Sequence, residues 1–288
     1  MPSFRDLRAR IRSVTNTQQI TKAMKQVASA KIRRAENLRK EARPYADAMG
    51  QMLDDLFDAV GTIDHPFARP GPAGAPRAVV LVTGDKGLAG SFNSNVTRSA
   101  EIDVRGSPTP AIWYAIGLKG RNTLRRLSFQ IAYEAPILGD KMAEAREVAR
   151  RVGDDFAAGK LSEVVMISPR LISMLTQRPE RRQLLPIVGE KKKTEKSGPR
   201  AAVEFVPSPE FVLARLLPKY LGFTIFSALL ETDAAYYAAQ LLAMTNATDN
   251  ADELIDTLTV EMNKARQGAI TKEILEIVGG AEAVAGVA

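Results

Sequence analysis

Apolar residues near the start of the chain recur alternately three and four positions apart: Phe4, Leu7, Ile11, Val14, then Gln18, Thr21, Lys25, then Ala28, Ile32 and Ala35. That is a helical heptad stripe, and no proline interrupts it before Pro44, so the spacing predicts a nearly unbroken helix from Ser3 into the fifties. A second stripe in the same alternation runs through Leu241, Met244, Thr248, Ala251, Ile255, Leu258, Met262, Ala265 and Ala269. At 1.5 Å per residue, either helix would be about 70 to 100 Å long, so each must pack on the other or on a partner.

Between the stripes the pattern changes. Gly61 to Arg77 holds four prolines and three glycines, which no helix or central strand tolerates. Ala78–Thr83 is then a short, wholly apolar, β-branched run, as in a strand buried on both faces. Ala111–Ile116, Phe129–Tyr133 and Val164–Ser168 repeat this signal, with helical segments starting near Phe92 and covering Leu118–Leu127 and Met142–Ala157. Such alternation predicts a doubly wound α/β body with a mostly parallel sheet. Arg181–Ile187 and Ala201–Val206 are expected to add a strand pair joined by the charged, solvent-exposed loop Glu190–Ser197. Ser208 and Pro209 mark a helix start, Pro218 predicts a kink or short interruption, and Gly279–Gly280 predicts the stop. The expected layout is a terminal helix over 1–60, a Pro/Gly linker over 61–77, an α/β domain over 78–207 and a second long helix with an apolar tail over 208–288.

Composition narrows the function. With no cysteine, the 288-residue chain has no disulfide, thiolate catalysis or thiolate metal site, and its one histidine, His65, rules out histidine triads and multi-histidine metal centres. The most apolar stretch, Leu221–Leu230, is too short to span a bilayer, and the N-terminus opens on a helix instead of a leader, which makes the cytoplasm the simplest compartment. The net charge of +7 is unevenly placed: residues 1 to 43 hold twelve Lys and Arg against three acids, whereas residues 246 to 280 hold seven acids against three bases. The basic first helix thus faces an acidic neighbour in the same molecule, an acidic partner, or nucleic acid. No aromatic residue lies between Phe4 and Tyr45 to serve as a base-stacking platform.

Two clusters carry candidate chemistry. Thr83-Gly-Asp-Lys-Gly-Leu-Ala-Gly90 lies between strand and helix, like a phosphate-binding loop. Its glycines at 84, 87 and 90 fit neither the P-loop order nor G-x-G-x-x-G, so a structural turn is the better reading. Asn263, Arg266, Gln267 and Thr271 cluster hydrogen-bonding groups along the last helix, either as a solvated face or as a grip for a carboxylate. Gln18 to Lys25 likewise interrupts the first stripe with polar residues, which in a heptad set register or face a different partner.

These same segments resemble a known family. Asn16-Thr-Gln-Gln-Ile-Thr-Lys-Ala-Met24, Ala30-Lys-Ile-Arg-Arg-Ala35, Ala247-Thr-Asp-Asn-Ala251, Asn263-Lys-Ala-Arg-Gln-Gly-Ala-Ile-Thr271 and Glu276-Ile-Val-Gly-Gly-Ala281 are similar to the gamma subunit of bacterial-type F-type ATP synthase. Gly84-Asp-Lys-Gly-Leu-Ala-Gly-Ser-Phe-Asn93 and Gln183-Leu-Leu-Pro186 are similar to its middle signatures. The resemblance implies an antiparallel coiled coil of the terminal helices with an inserted Rossmann-like domain, working as a noncatalytic rotor shaft between a proton-driven membrane ring and the beta-subunit catalytic sites. The implied partners are three alpha and three beta subunits, the epsilon subunit and the c-ring, with no nucleic acid, cofactor, metal or small-molecule substrate. The implied place is the cytoplasmic face of the bacterial inner membrane, peripherally bound.

By matching positions, Arg266, Gln267 and Thr271 would engage a beta-subunit loop and Met24 with Lys25 would meet the beta lever. Asp85, Lys86 and Gly87 would form a foot loop, and Ala281, Val284 and Val287 the bearing tip. The chain departs from the family pattern at Gly84, where a small polar residue is usual, at Gln26, where Met is common, and over Ala235-Tyr-Tyr-Ala-Ala-Gln240, where Ser-Glu-His-Ala-Ala-Arg is usual.

Overall fold

The computed structural model describes residues 3–60, 65–187, 206 and 208–285. Two helices, α1 (Phe4–Val60) and α5 (Pro209–Ala285), contribute to both of two compact units, one of residues 1–27 with 241–288 and one of residues 28–240.

In the first unit the two helices pair antiparallel. Ser3 starts α1 with a capping box: its Oγ accepts from the Asp6 amide at 3.3 Å, and the Asp6 carboxylate accepts from the Ser3 amide at 3.1 Å. Leu7, Met244, Ala251 and Leu258 supply buried apolar positions. The polar interruption read from the sequence is used inside the pair: Gln18 donates to Asp252, and the buried Thr21 and Thr248 hydroxyls lie 2.8 Å apart. Each hydroxyl also lies within hydrogen-bond reach of a carbonyl of its own helix, Thr21 of Gln18 and Thr248 of Met244, so one threonine donates across the pair while the other accepts and donates to its own helix. Such a polar layer fixes register, because any slip leaves hydroxyls facing apolar neighbours. Thr21→Val alone should cost about 1 kcal/mol, and Thr21→Val with Thr248→Val less than the two single costs combined, because only the single change leaves a buried hydroxyl without its partner. A double-mutant cycle by urea unfolding of the full chain checks this; strictly additive costs would deny the pairing any role.

The same register places Phe4 level with roughly residue 266, so α5 extends past the start of α1. Ile270, Ile274, Leu275, Ile277 and Val278 accordingly stand exposed.

The second unit is built on a five-stranded sheet in the order β3-β2-β1-β4-β5, where β1 is Arg77–Val82, β2 Ala111–Ile116, β3 Ile131–Ala135, β4 Val164–Ser173 and β5 Thr176–Leu185. The first four strands are parallel and β5 is antiparallel at the edge. Every residue of β1 is buried, Ala78–Val82 as their apolar run requires and Arg77 in ion pairs with Asp103 and Glu163. Helices α2 (Phe92–Arg105) and α3 (Leu118–Arg126) cover one face, where Val79, Leu81, Trp113, Ala115, Val165 and Ile167 meet Val96, Ala100 and Leu124. Helix α4 (Lys141–Ala157) covers the other, with Met49, Leu53 and Leu56 of α1 and Leu213 to Leu229 of α5. The sheet is doubly wound, as the alternation predicts.

Four details differ from the sequence expectations. First, β3 begins at Ile131 instead of Phe129, because the ladder opens on Trp113↔Ile131 while Phe129 turns its ring to Trp113 at 5.2 Å. Second, β5 begins at Thr176 instead of Arg181 and has β4 as an antiparallel neighbour; the expected pairing of Arg181–Ile187 with Ala201–Val206 falls on residues that are largely not described. Residues 201–205 and the Glu190–Ser197 loop lie outside the described residues. Third, of the kink or interruption expected at Pro218 the interruption does not occur: α5 stays helical through it, since burial of Leu213, Leu216, Leu217 and Leu221 outweighs the roughly 3 kcal/mol that an internal proline costs. Fourth, it also runs through Gly279–Gly280 to Ala285; two helical glycines cost only about 1 kcal/mol each, and the alanines beyond them favour the helix.

By length and composition, α5 also contains an 18-residue window apolar enough to cross a membrane. Half of that window is buried within the protein, and the apolar face of Leu213 to Leu229 is occupied by the sheet.

Candidate functional site

The loop between β1 and α2 is stitched from within. The Gly84 amide donates to Asn93 Oδ1 at 2.9 Å, and Asn93 Nδ2 donates to the Lys86 carbonyl at 3.0 Å. Asp85 does most of the joining: its carboxylate accepts from the Leu118 amide at 2.8 Å, the Ile137 amide at 3.1 Å and the Leu138 amide at 3.0 Å. One side chain thus fastens three segments and already holds the first amide of α3. A carboxylate in that position repels phosphate, so the loop is a strand-to-helix turn. Leu88 sits in the left-handed region at φ 61° with its side chain exposed, Lys86 is exposed, and Gly87 is half-buried.

Gly87 gives its carbonyl to the Tyr236 hydroxyl at 2.9 Å. The Tyr236 ring lies over Gly84, where a Cβ would stand 3.0 Å from its Cδ2, and meets the Phe92 ring edge-on at 5.7 Å. Two of the departures from the family pattern, Gly84 and Tyr236, therefore touch: the small residue makes room for the large one. Burial raises the Tyr236 hydroxyl to about 12, so it remains a donor at neutral pH. One turn earlier, Asp233 meets Lys141 at 2.8 Å. Burial raises the Asp233 carboxyl above the ordinary carboxylate range, while Lys141 draws it down. Lys31 of α1 lies over the Tyr237 ring at 5.3 Å.

The helix-borne candidates are arranged differently. Met24 and Lys25 are half-buried on α1. Arg266, Gln267 and Thr271 are exposed on α5, and Thr271 Oγ1 donates to the Gln267 carbonyl at 2.9 Å, so that only its outer lone pairs face solvent. Among the described residues no side chain pairs with Arg266 or Gln267. Ala281 is exposed; the Val284 side chain and all of Val287 lie outside the described residues. No group of His, Asp and Glu suited to a metal ion occurs among the described residues.

Sequence reasoning missed the roles of Asp233 and Lys141 and the bond made by Tyr236. The available signal was a large polar residue inside the small-residue run Ala234, Ala235, Ala238, Ala239, all buried.

Two long helices that pair antiparallel near the chain ends, and a doubly wound sheet encoded between them, define a mixed α/β protein. Comparison with known proteins specifies the family. The ATP synthase family model matches residues 3–284. The ATP synthase gamma chain of Desulforamulus reducens is 45% identical over 286 residues, covering 99% of this chain and 100% of that one. That of Symbiobacterium thermophilum is 43% identical, covering 96% of each. In fold, the chain is similar to one in the Euglena gracilis mitochondrial ATP synthase solved with OSCP, F1 and c-ring, at TM-score 0.66 and 18% identity, covering 98% of this chain and 94% of that one. The chain belongs to the ATP synthase gamma-chain family.

Proposed function

We propose that this chain is the central rotor shaft of an F-type ATP synthase, coupling proton translocation through the membrane ring to ATP synthesis and hydrolysis at beta-subunit sites, and itself catalysing neither. The observation that carries the proposal is full-length kinship with ATP synthase gamma chains, at 45% identity end to end. The geometry supports it. The stretch of α5 beyond the start of α1 exposes Ile270, Ile274, Leu275, Ile277 and Val278, more contiguous apolar surface than a lone chain leaves in water without a use. An apolar sleeve of alpha and beta subunits would cover it, with Ala281, Val284 and Val287 at its tip.

On this reading, three alpha and three beta subunits surround the hairpin, and the epsilon subunit and c-ring hold the body, whose foot loop includes Asp85, Lys86 and Gly87. The complex lies on the cytoplasmic face of the bacterial inner membrane, and this chain is bound to it peripherally. Arg266 and Gln267 are free to take a beta-subunit carboxylate, with Thr271 beside them and Met24 and Lys25 at the beta lever.

The test is ATP hydrolysis by matched alpha and beta subunits assembled with and without the chain. The chain is expected to convert a poorly active mixture into a steadily turning-over complex. Arg266→Ala with Gln267→Ala should reduce turnover about ten-fold or more, as expected from losing a charge-assisted bond pair. A chain that neither joins the complex nor changes turnover would overturn the proposal.

A further inference from the structure

The α/β body holds α5 in two ways, and they resist different motions. Leu213 to Leu229 lie in the apolar core against the sheet. Apolar packing is non-directional and engages one stripe of the helix, so by itself it permits the helix to roll or slide. The next two turns are held by directed bonds to three separate segments. Glu231 Oε1 accepts from the Leu171 amide of β4 at 3.2 Å and faces Arg39 of α1 at 3.9 Å. Asp233 pairs with Lys141, the first residue of α4, at 2.8 Å. Tyr236 donates to the Gly87 carbonyl at 2.9 Å and fills the space over Gly84.

At 3.6 residues per turn, Asp233 and Tyr236 project about 200° and 140° round the axis from Glu231, so the helix is gripped on more than one side. Two of the three body anchors are themselves tied together, because Asp85 in the Gly87 loop binds the amides of Leu118 and of Ile137 and Leu138 just before α4.

We propose that Glu231, Asp233 and Tyr236 are the positioning residues of a clamp that stops α5 from turning about its own axis within the α/β body, so that rotation of the body reaches the shaft helix without slip. This rests on the rotor reading and names where in the chain the torque crosses from body to helix. The apolar core carries the weight of the contact and the clamp fixes its angle.

The test compares the full-length chain with a volume-preserving variant, Glu231→Gln, Asp233→Asn and Tyr236→Phe, in two assemblies. One is the complex with alpha and beta subunits alone, read by ATP hydrolysis; the other is the whole synthase in vesicles, read by protons pumped per ATP hydrolysed against a growing gradient. The expected result is hydrolysis retained in the first and a loss of protons pumped per ATP in the second, a ratio that lower stability or yield would not move. Exchanging the ion pair, Asp233→Lys with Lys141→Asp, should keep the ratio where Asp233→Asn loses it. An unchanged ratio in the variant overturns the clamp. If the triple variant does not assemble, Tyr236→Phe, which removes only the hydroxyl bonded to Gly87, is measured in the same way, and an unchanged ratio there is equally decisive against it. If the unsubstituted chain supports neither hydrolysis nor pumping, the rotor reading fails first and the clamp with it.

Discussion

Gly117→Ala should unfold the α/β body, at a cost of about 4 kcal/mol or more. Gly117 links β2 to α3 at φ 101°, a conformation that L side chains rarely adopt. A Cβ there would lie 2.0 Å from the Thr83 carbonyl oxygen and 2.7 Å from Thr83 Oγ1. Neither can retreat: Thr83 is buried, its amide donates to the Ile116 carbonyl at 2.8 Å, and its hydroxyl accepts from the Gly120 amide at 2.8 Å. Relieving the clash means moving the end of β1 away from β2, and with it the loop that carries Asp85. Urea unfolding of the full chain measures the loss. Gly50→Ala is the matched control, because nothing lies within 4 Å of a Cβ at that helical position; it should be neutral or gain up to about 1 kcal/mol. Equal stabilities for the two variants would contradict the geometry.

Arg77→Met should cost about 3 kcal/mol. Arg77 opens β1 with only 3% of its side chain exposed. It donates to the Asp103 carbonyl at 2.7 Å, lies 2.9 Å from the Asp103 carboxylate and 3.5 Å from that of Glu163. Arg181 completes the network from β5, at 2.9 Å from Asp103 and 3.6 Å from Glu163. Without Arg77, the two carboxylates, 18% and 30% exposed, keep only an arginine that is 43% in solvent. The penalty is that of leaving charge uncompensated, more than of losing attraction. Arg181→Met should therefore cost much less, about 1 kcal/mol, and its effect should fade in salt while that of Arg77→Met persists. Equal, salt-sensitive losses would show that the network behaves as a surface pair.

How far the fold could be read in advance depended on what each element buries. β1 is buried throughout and β2 over Trp113–Ile116, and both were legible almost to the residue. β5 was half legible because most of its side chains are polar and half-buried or exposed; only Leu184 and Leu185 carry an apolar signal. The start of α5 at Pro209 was legible, but its continuity through Pro218 and its far end were not, because proline and glycine act locally, whereas the sheet face that holds Leu213 to Leu221 is remote in sequence. The polar candidates on the helices were visible as spacing, but their assignment needed the family. The grip on α5 was invisible: Tyr236 and the Gly87 carbonyl are 149 residues apart, and no local pattern marks a backbone acceptor.

An open sheet offers its outermost backbone groups to any passing strand, a route to fibrous aggregation. At β5 the hazard is met by composition: Pro179 has no amide to donate, and Arg178, Glu180, Arg181 and Arg182 surround it with charge. The opposite border, β3, is only five residues long, and Arg125 pairs with its Glu134. Both borders of the described sheet are thus unwelcoming to a stray strand, while the apolar positions Ile270 to Val278 of α5 stay open to contact.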